Sequence, residues 1–89
     1  LTGDGIVLQA SEQTVVKPSE GVIDMIGPVT LTQKNLYVIS EQGVRINIEE
    51  HQQVTLTGPV FMQYMNDQFA AGSGVYHPKE QTIRLNHVQ

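Results

Sequence analysis

The sequence contains no cysteine and little charge of either sign, with 16% charged residues. The absence of cysteine excludes disulfides, thiolate metal sites and cysteine nucleophiles. Only five lysine and arginine residues are present, scattered along a chain of net charge −4. Nucleic-acid binding requires a basic footprint, so we expect no nucleic-acid partner, and a polybasic membrane patch is missing for the same reason. No run approaches the roughly 18 apolar residues of a membrane-spanning helix.

The 89 residues are enough for one domain, which we expect to cover residues 1–89. With 39% hydrophobic residues the composition is globular, but a chain this short buries only about 60–65% of its unfolded surface. Because the sequence starts at Leu1 rather than methionine, we expect a fragment or a processed chain. A signal peptide or a membrane anchor could have been removed upstream.

A Gly-Pro segment occurs twice, as Gly27–Gln33 (GPVTLTQ) and, 31 residues later, as Gly58–Tyr64 (GPVFMQY). Each copy follows an apolar-rich run and begins a second run of alternating pattern. Glycine between two such runs reaches backbone angles that other residues avoid, and proline cannot donate to a strand ladder. The pattern predicts a strand-corner-strand unit that is repeated with a period of about 31 residues, as in stacked architectures.

Short runs with apolar and polar residues in alternation predict strands throughout the chain. The predicted strands are 6–8, 15–16, 22–26, 29–32, 36–40, 44–48, 54–57, 60–64, a short one at Phe69, 75–77 and 82–86. No window of about 11 residues shows helical spacing of apolar residues. A single sheet of this kind would leave its apolar face in water, so we expect an all-β sandwich, jelly roll or short solenoid.

The histidines and acidic residues offer weak candidates for a metal or catalytic site. His77 and Glu80 have an H-x-x-E spacing, and His51 follows Glu49 and Glu50. Such metal motifs belong on helices, whereas these residues fall in strands and turns, so we expect solvated turn histidines and no metal. Adjacent carboxylates in a strand point to opposite faces, which disfavours Glu49 and Glu50 as an acid-base pair.

The small segment Gly72–Gly74 resembles a phosphate cradle only in its glycines. It lacks the lysine and the following helix of such loops, so a kinked strand or a bulge is expected. No serine has a neighbouring base in a nucleophile pattern. We therefore expect a protein that is not an enzyme, with no catalytic residues and no cofactor.

The apolar stripe of the strands has two interpretations. Its members either fill a dry core between two layers or line an apolar trough that is open to acyl chains. The stripe comprises Val29, Leu31, Val44, Ile46, Ile48, Val54, Leu56, Val60, Met62, Ile83 and Leu85.

The order of corners and strands resembles the OstA-like family of lipopolysaccharide-transport proteins, most of all LptC, with LptA and the periplasmic part of LptD as relatives. The segments that carry the resemblance are Ile26–Leu31, Gly43–Ile48 and Val54–Val60, with Phe69–Tyr76 and Ile83–Leu85 as a closing repeat. Together they span most of residues 20–88. Members usually have a longer folded region, and LptC-type members carry an N-terminal helix that anchors them in the inner membrane.

The resemblance implies an open, twisted antiparallel β-jelly roll in the periplasm of a Gram-negative bacterium. Such a domain holds the acyl chains of lipopolysaccharide in an apolar groove and passes them along an edge-to-edge protein bridge to the outer membrane. The implied partners are lipopolysaccharide, other Lpt bridge proteins joined through edge strands, an inner-membrane transporter and further copies of the chain. The implied groove residues are Val29, Leu31, Val44, Ile46, Ile48, Val54, Leu56, Val60 and Met62. The alternative is a structural β-solenoid or assembly module with a packed, dry interior and no lipid cargo.

Overall fold

The computed structural model describes residues 2–3, 5–49 and 52–89, which form ten strands and one 3-10 turn, Pro18–Glu20. The strands are β1 (Thr2–Gly3), β2 (Ile6–Ala10), β3 (Gln13–Lys17), β4 (Val22–Ile26), β5 (Val29–Gln33), β6 (Leu36–Ser40), β7 (Gly43–Asn47), β8 (Gln53–Tyr64), β9 (Asp67–His77) and β10 (Thr82–Asn86). Every pairing between them is antiparallel. The predicted all-β fold of jelly-roll type is confirmed.

The topology is an antiparallel meander of long strands, each bent near its middle. Strands β2 and β3 form one bent strand, β4 and β5 the next, and β6 and β7 a third, while β8 and β9 run through their bends without interruption. Each bent strand pairs with the next one along the chain on both sides of the bend. A single twisted sheet is therefore folded across its middle, and its two halves become two layers.

The two layers share β8 and β9. Layer I contains β3, β4, β7, the first half of β8, the second half of β9 and β10. Layer II contains β1, β2, β5, β6, the second half of β8 and the first half of β9. The inward side chains of both layers form one hydrophobic cluster, to which β2 and the strands from β4 to β9 contribute buried residues. The alternation of the sequence thus becomes two apolar faces that cover each other.

The 31-residue repeat corresponds to one up-and-down pair of bent strands. The bent strand Val22–Gln33 and strand β8, Gln53–Tyr64, are 31 positions apart at both ends. The separate strands expected at 54–57 and 60–64 are in fact one strand, because Gly58 and Pro59 form a bulge opposite the single residue Gly72. Strand β9 is continuous for the same reason, and its Gly72 lies at the predicted kink.

The two Gly-Pro dipeptides need glycine for different reasons. Gly27 has a φ of +84°, in the left-handed region that favours glycine. Gly58 has no such angle, but a Cβ atom there would overlap the carbonyl oxygen of Gly72 on the neighbouring strand. The first dipeptide therefore ends a strand, whereas the second bends one while two backbones lie in close contact.

Strand β3 lies at an open edge and is fastened by an ion-pair cluster on the outward face of layer I. The Arg45 guanidinium donates from Nε and Nη2 to the two Asp24 carboxylate oxygens, at 2.7 and 3.0 Å, and Lys17 Nζ lies 3.1 Å from the second oxygen. The hydrogen bond from Arg45, followed by that from Lys17, lowers the pKa of Asp24 to about 2. Within the described residues β1, β3 and β10 each pair with a single strand, so the folded sheet is open at its edges.

Candidate functional site

The predicted groove residues come from both layers and converge on the space between them. Layer II contributes Val29 and Leu31 from β5 and Val60 and Met62 from β8. Layer I contributes two residues of β7 and two of β8, namely Val44, Ile46, Val54 and Leu56. Eight of the nine predicted residues therefore face the same interior, with Met62 partly buried against the cluster that the other seven help to form.

The ninth residue, Ile48, departs from the prediction. Strand β7 ends at Asn47, and Ile48 lies beyond it with 44% of its surface exposed. Its backbone N–H donates to the carbonyl oxygen of Gly21, the residue before β4, at 2.9 Å. The alternation predicted for residues 44–48 thus stops one residue early, and Ile48 is outside the cluster.

The middle of the interior is closed. Val29, Leu56 and Val60 are each at most 1% exposed, and Ser40 is buried at the same depth where layer II passes into layer I. The Ser40 hydroxyl lies 2.7 Å from the carbonyl oxygens of both Gly43 and Thr57, so its one hydrogen is donated to either of them. This part of the molecule is a packed core rather than an open trough.

The interior opens on the side of β9 and β10. The register places Phe69 beside Met62 on the inward face of layer II, in line with the buried Val38. Phe69 is nevertheless 40% exposed, and Tyr64, two residues beyond Met62 on the same face, is 47% exposed. In layer I, the inward residues of β10, Ile83 and Leu85, are only partly buried. Inward apolar side chains that remain in contact with water mark this side as a mouth, which we call the β9–β10 mouth.

A cavity of about 340 Å³ lies at the mouth. Its apolar wall consists of Leu36, Tyr64, Tyr76 and Ile83, and its rim carries the polar residues Gln33, Lys34, Asn35 and Gln81. The volume is within the range of about 300–1,000 Å³ that small-molecule sites occupy. Most of the wall is hydrocarbon, and Lys34 is the one charged residue among the described residues of the lining, so the space suits an apolar chain with an uncharged or anionic end.

Tyr76 separates the cavity from the core and fastens the two layers together. It is 1% exposed on β9, paired with Val54 on one side and Ile83 on the other. Its hydroxyl donates to the Gln33 side-chain carbonyl at the end of β5, in the opposite layer. Burial raises the pKa of Tyr76, so the phenol stays neutral and remains a donor.

Sequence reasoning identified the closed part of the interior and missed its mouth. Leu36, Tyr64 and Tyr76 were outside the predicted groove, although Leu36 and Tyr64 continue the alternation of Val38 and Met62 by two residues. That continuation was the available signal. Tyr76 carries no such signal, because only the fold brings β9 next to the end of β5.

The other sequence candidates form no site within residues 2–3, 5–49 and 52–89. These residues contain no group of three or more His, Asp or Glu side chains that could hold a metal ion. His77 ends β9 and Glu80 lies in the following turn, while the Glu50 and His51 candidates lie outside the described residues. No helix in the described part of the chain is long and apolar enough to cross a membrane.

No protein-family model matches the chain. No curated protein matches its sequence at a significant level.

Proposed function

We propose that the domain is a non-catalytic lipid carrier of the OstA-like type, acting in the periplasm in lipopolysaccharide transport. It takes up acyl chains at the β9–β10 mouth, holds them there against the exposed inward apolar residues, and passes them along a bridge of similar domains joined at their sheet edges. The choice of lipopolysaccharide as the lipid, and of the periplasm as the location, rests on the resemblance of the Gly-Pro and Gly-Val strands to the OstA-like family.

One structural observation supports this proposal above the others. The mouth contains inward apolar residues, Phe69 and Tyr64 among them, that are exposed beside a largely apolar cavity of about 340 Å³. A core that was only structural would gain free energy by covering them, at about 25 cal/mol for each Å² removed from water. Their exposure is explained if a ligand covers them.

The buried middle of the interior favours a second candidate, a dry structural module that assembles through its edges. Seven of the predicted groove residues are at most 4% exposed, so a chain that lay along the whole interior would have to separate the layers. In the first proposal an acyl chain occupies the mouth while the core stays closed, and in the second no ligand occupies the mouth. The two differ in whether lipid contacts Phe69.

Site-specific photo-crosslinking separates the two candidates. Benzoylphenylalanine at Phe69 or Tyr64 replaces an exposed aromatic residue and should leave the core intact. Under irradiation with lipopolysaccharide both variants should form a lipid adduct, whereas the deacylated saccharide should form none. The control places the same group at Ile26, which is equally exposed at 44% but lies on the outward face of layer I. Equal labelling at Ile26, or no labelling at the mouth, would reject the lipid carrier.

A further inference from the structure

On the outward face of layer II, the ten described positions that the register aligns on β2, β5, β6, β8 and β9 are all uncharged. These positions form two rows across the five strands, and we call them the neutral face. They are Val7, Thr32, Tyr37, Gln63 and Gln68 in one row and Gln9, Thr30, Ile39, Phe61 and Ala70 in the other. The chain has five basic and nine acidic residues, yet none of them is among these ten positions. The neutral face is also separate from the interior and its mouth.

Two aromatic rings lie in the middle of the neutral face. Tyr37 on β6 is 43% exposed and Phe61 on β8 is 44% exposed. Phe61 pairs with Ile39, so Tyr37 is its diagonal neighbour, at the roughly 7–8 Å separation of such positions. The strands beneath the rings are held by the buried Val38 and Val60, which makes the platform rigid.

The polar residues around the rings are glutamines and threonines. An amide or a hydroxyl both donates and accepts hydrogen bonds without carrying charge. This chemistry matches a ligand rich in hydroxyl groups. The negative face of an aromatic ring attracts the polarised C–H groups that line one side of a pyranose. We propose that the neutral face binds a neutral oligosaccharide, stacked on Tyr37 and Phe61.

The extent of the face argues against a second copy of the chain as its occupant. Five strands about 4.8 Å apart, with two rows of side chains, give an area on the order of 300 Å². Two copies would bury about 600 Å², well below the roughly 1,200 Å² of a specific protein interface. An anionic polymer would find no cation there. A neutral saccharide of a few units needs only the two rings and several uncharged hydrogen-bonding groups.

The test is a titration of the lipid-free, isotope-labelled protein with cellohexaose, maltohexaose, chitohexaose and, as an anionic comparison, hexagalacturonate. At least one neutral hexasaccharide should shift the backbone amide signals of β6 and of the second half of β8. The Tyr37→Ala variant should bind it about three- to tenfold more weakly, the loss expected when a stacking ring is removed. Tyr64→Ala is the matched control, because Tyr64 is equally exposed but belongs to the mouth, and its affinity should be unchanged.

The proposal is overturned if no neutral hexasaccharide shifts these signals at millimolar concentration, or if Tyr37→Ala binds as well as the wild type. It is also overturned if sedimentation shows a dimer that Tyr37→Ala dissociates, because the face is then a self-interface. Phe61→Leu provides a second variant if Tyr37→Ala loses the circular dichroism of the folded protein. None of the probes carries an acyl chain, so the result is independent of whether the mouth binds lipid.

Discussion

Replacing Gly58 with alanine tests the central feature of the fold, the bend of β8 against β9. The new Cβ atom would overlap the carbonyl oxygen of Gly72, which is backbone and cannot rotate away. One of the two strands must move, and both belong to each layer. Gly72→Ala is the matched control, because its Cβ atom would face the Cβ of His87 at 3.3 Å on an exposed part of the surface.

The loss of folding free energy expected for Gly58→Ala has two parts, the overpacking itself and the hydrogen bonds that the displaced backbone accepts. Overpacking of a tight contact costs about 1–3 kcal/mol. The backbone amides of Glu41 and Gln42 donate to the carbonyls on either side of Gly58, at 3.1 and 3.3 Å, and each such bond contributes about 1 kcal/mol. We therefore expect a loss of about 3–5 kcal/mol, out of the roughly 5–10 kcal/mol available to a domain of this size. Gly72→Ala should cost less than about 1 kcal/mol.

Urea unfolding followed by circular dichroism measures both variants. At an m-value of about 1 kcal/mol/M, the midpoint for Gly58→Ala should fall by 3 M or more, or the variant should be unfolded in buffer. The midpoint for Gly72→Ala should stay within about 1 M of the wild type. A Gly58→Ala midpoint as high as that of Gly72→Ala would show that the two backbones do not lie in contact at the bend, and the folded meander would be wrong.

Two further substitutions test the contacts that hold the edge and the two layers. The folded pKa of Asp24 is about 2, below its ordinary value of 3.8, so its contribution is present above about pH 4 and is lost as the pH falls toward 2. Asp24→Asn should therefore lower the free energy of unfolding at pH 7 by about 1 kcal/mol, after discounting for the solvent around Lys17 and Arg45, and should match the wild type near pH 2 in urea titrations. A difference that is the same at both pH values would reject the ion-pair explanation. Tyr76→Phe removes the hydroxyl that donates to Gln33 and should cost about 1–2 kcal/mol by the same measurement, with a neutral result arguing that this contact does not join the layers.

Most of the strands could be predicted from the sequence because they bury one of their two faces. The predicted ranges 22–26 and 36–40 coincide with β4 and β6, and the predicted repeat coincides with a pair of bent strands. The continuity of β8 could not be predicted, because a Gly-Pro dipeptide looks the same in a sequence whether a strand ends there or bends and continues. Whether Gly58 ends a strand or bends it depends on Gly72, which is 14 positions later and meets it only in the folded sheet.

The candidate site was predictable in its composition but not in its opening. Alternation identifies inward residues such as Leu56, whereas the sequence places Phe69 only in a short strand. Alternation does not say which inward residues have a strand opposite them. Leu56 is flanked by β7 and β9 within its layer and is 1% exposed, whereas Phe69 lies on the half of β9 that has β8 on one side alone among the described strands and is 40% exposed. Whether an inward side chain is covered depends on how the two layers are arranged in space, and the alternation of residues along one strand does not specify that arrangement.

This difference in coverage assigns separate roles to chemically similar residues of the interior. Because the repeat equals one up-and-down pair of bent strands, each repeat adds two strands to each layer and extends the interior without closing it. Residues in the covered part, such as Leu56, stabilise the fold, and truncating one to alanine costs about 2–5 kcal/mol whatever the domain binds. Residues at the mouth, such as Phe69, contribute less to folding because water already reaches them. A function that requires apolar surface therefore belongs at the mouth. A ligand there covers side chains that are already exposed to water, whereas a ligand in the core would have to replace contacts between the two layers.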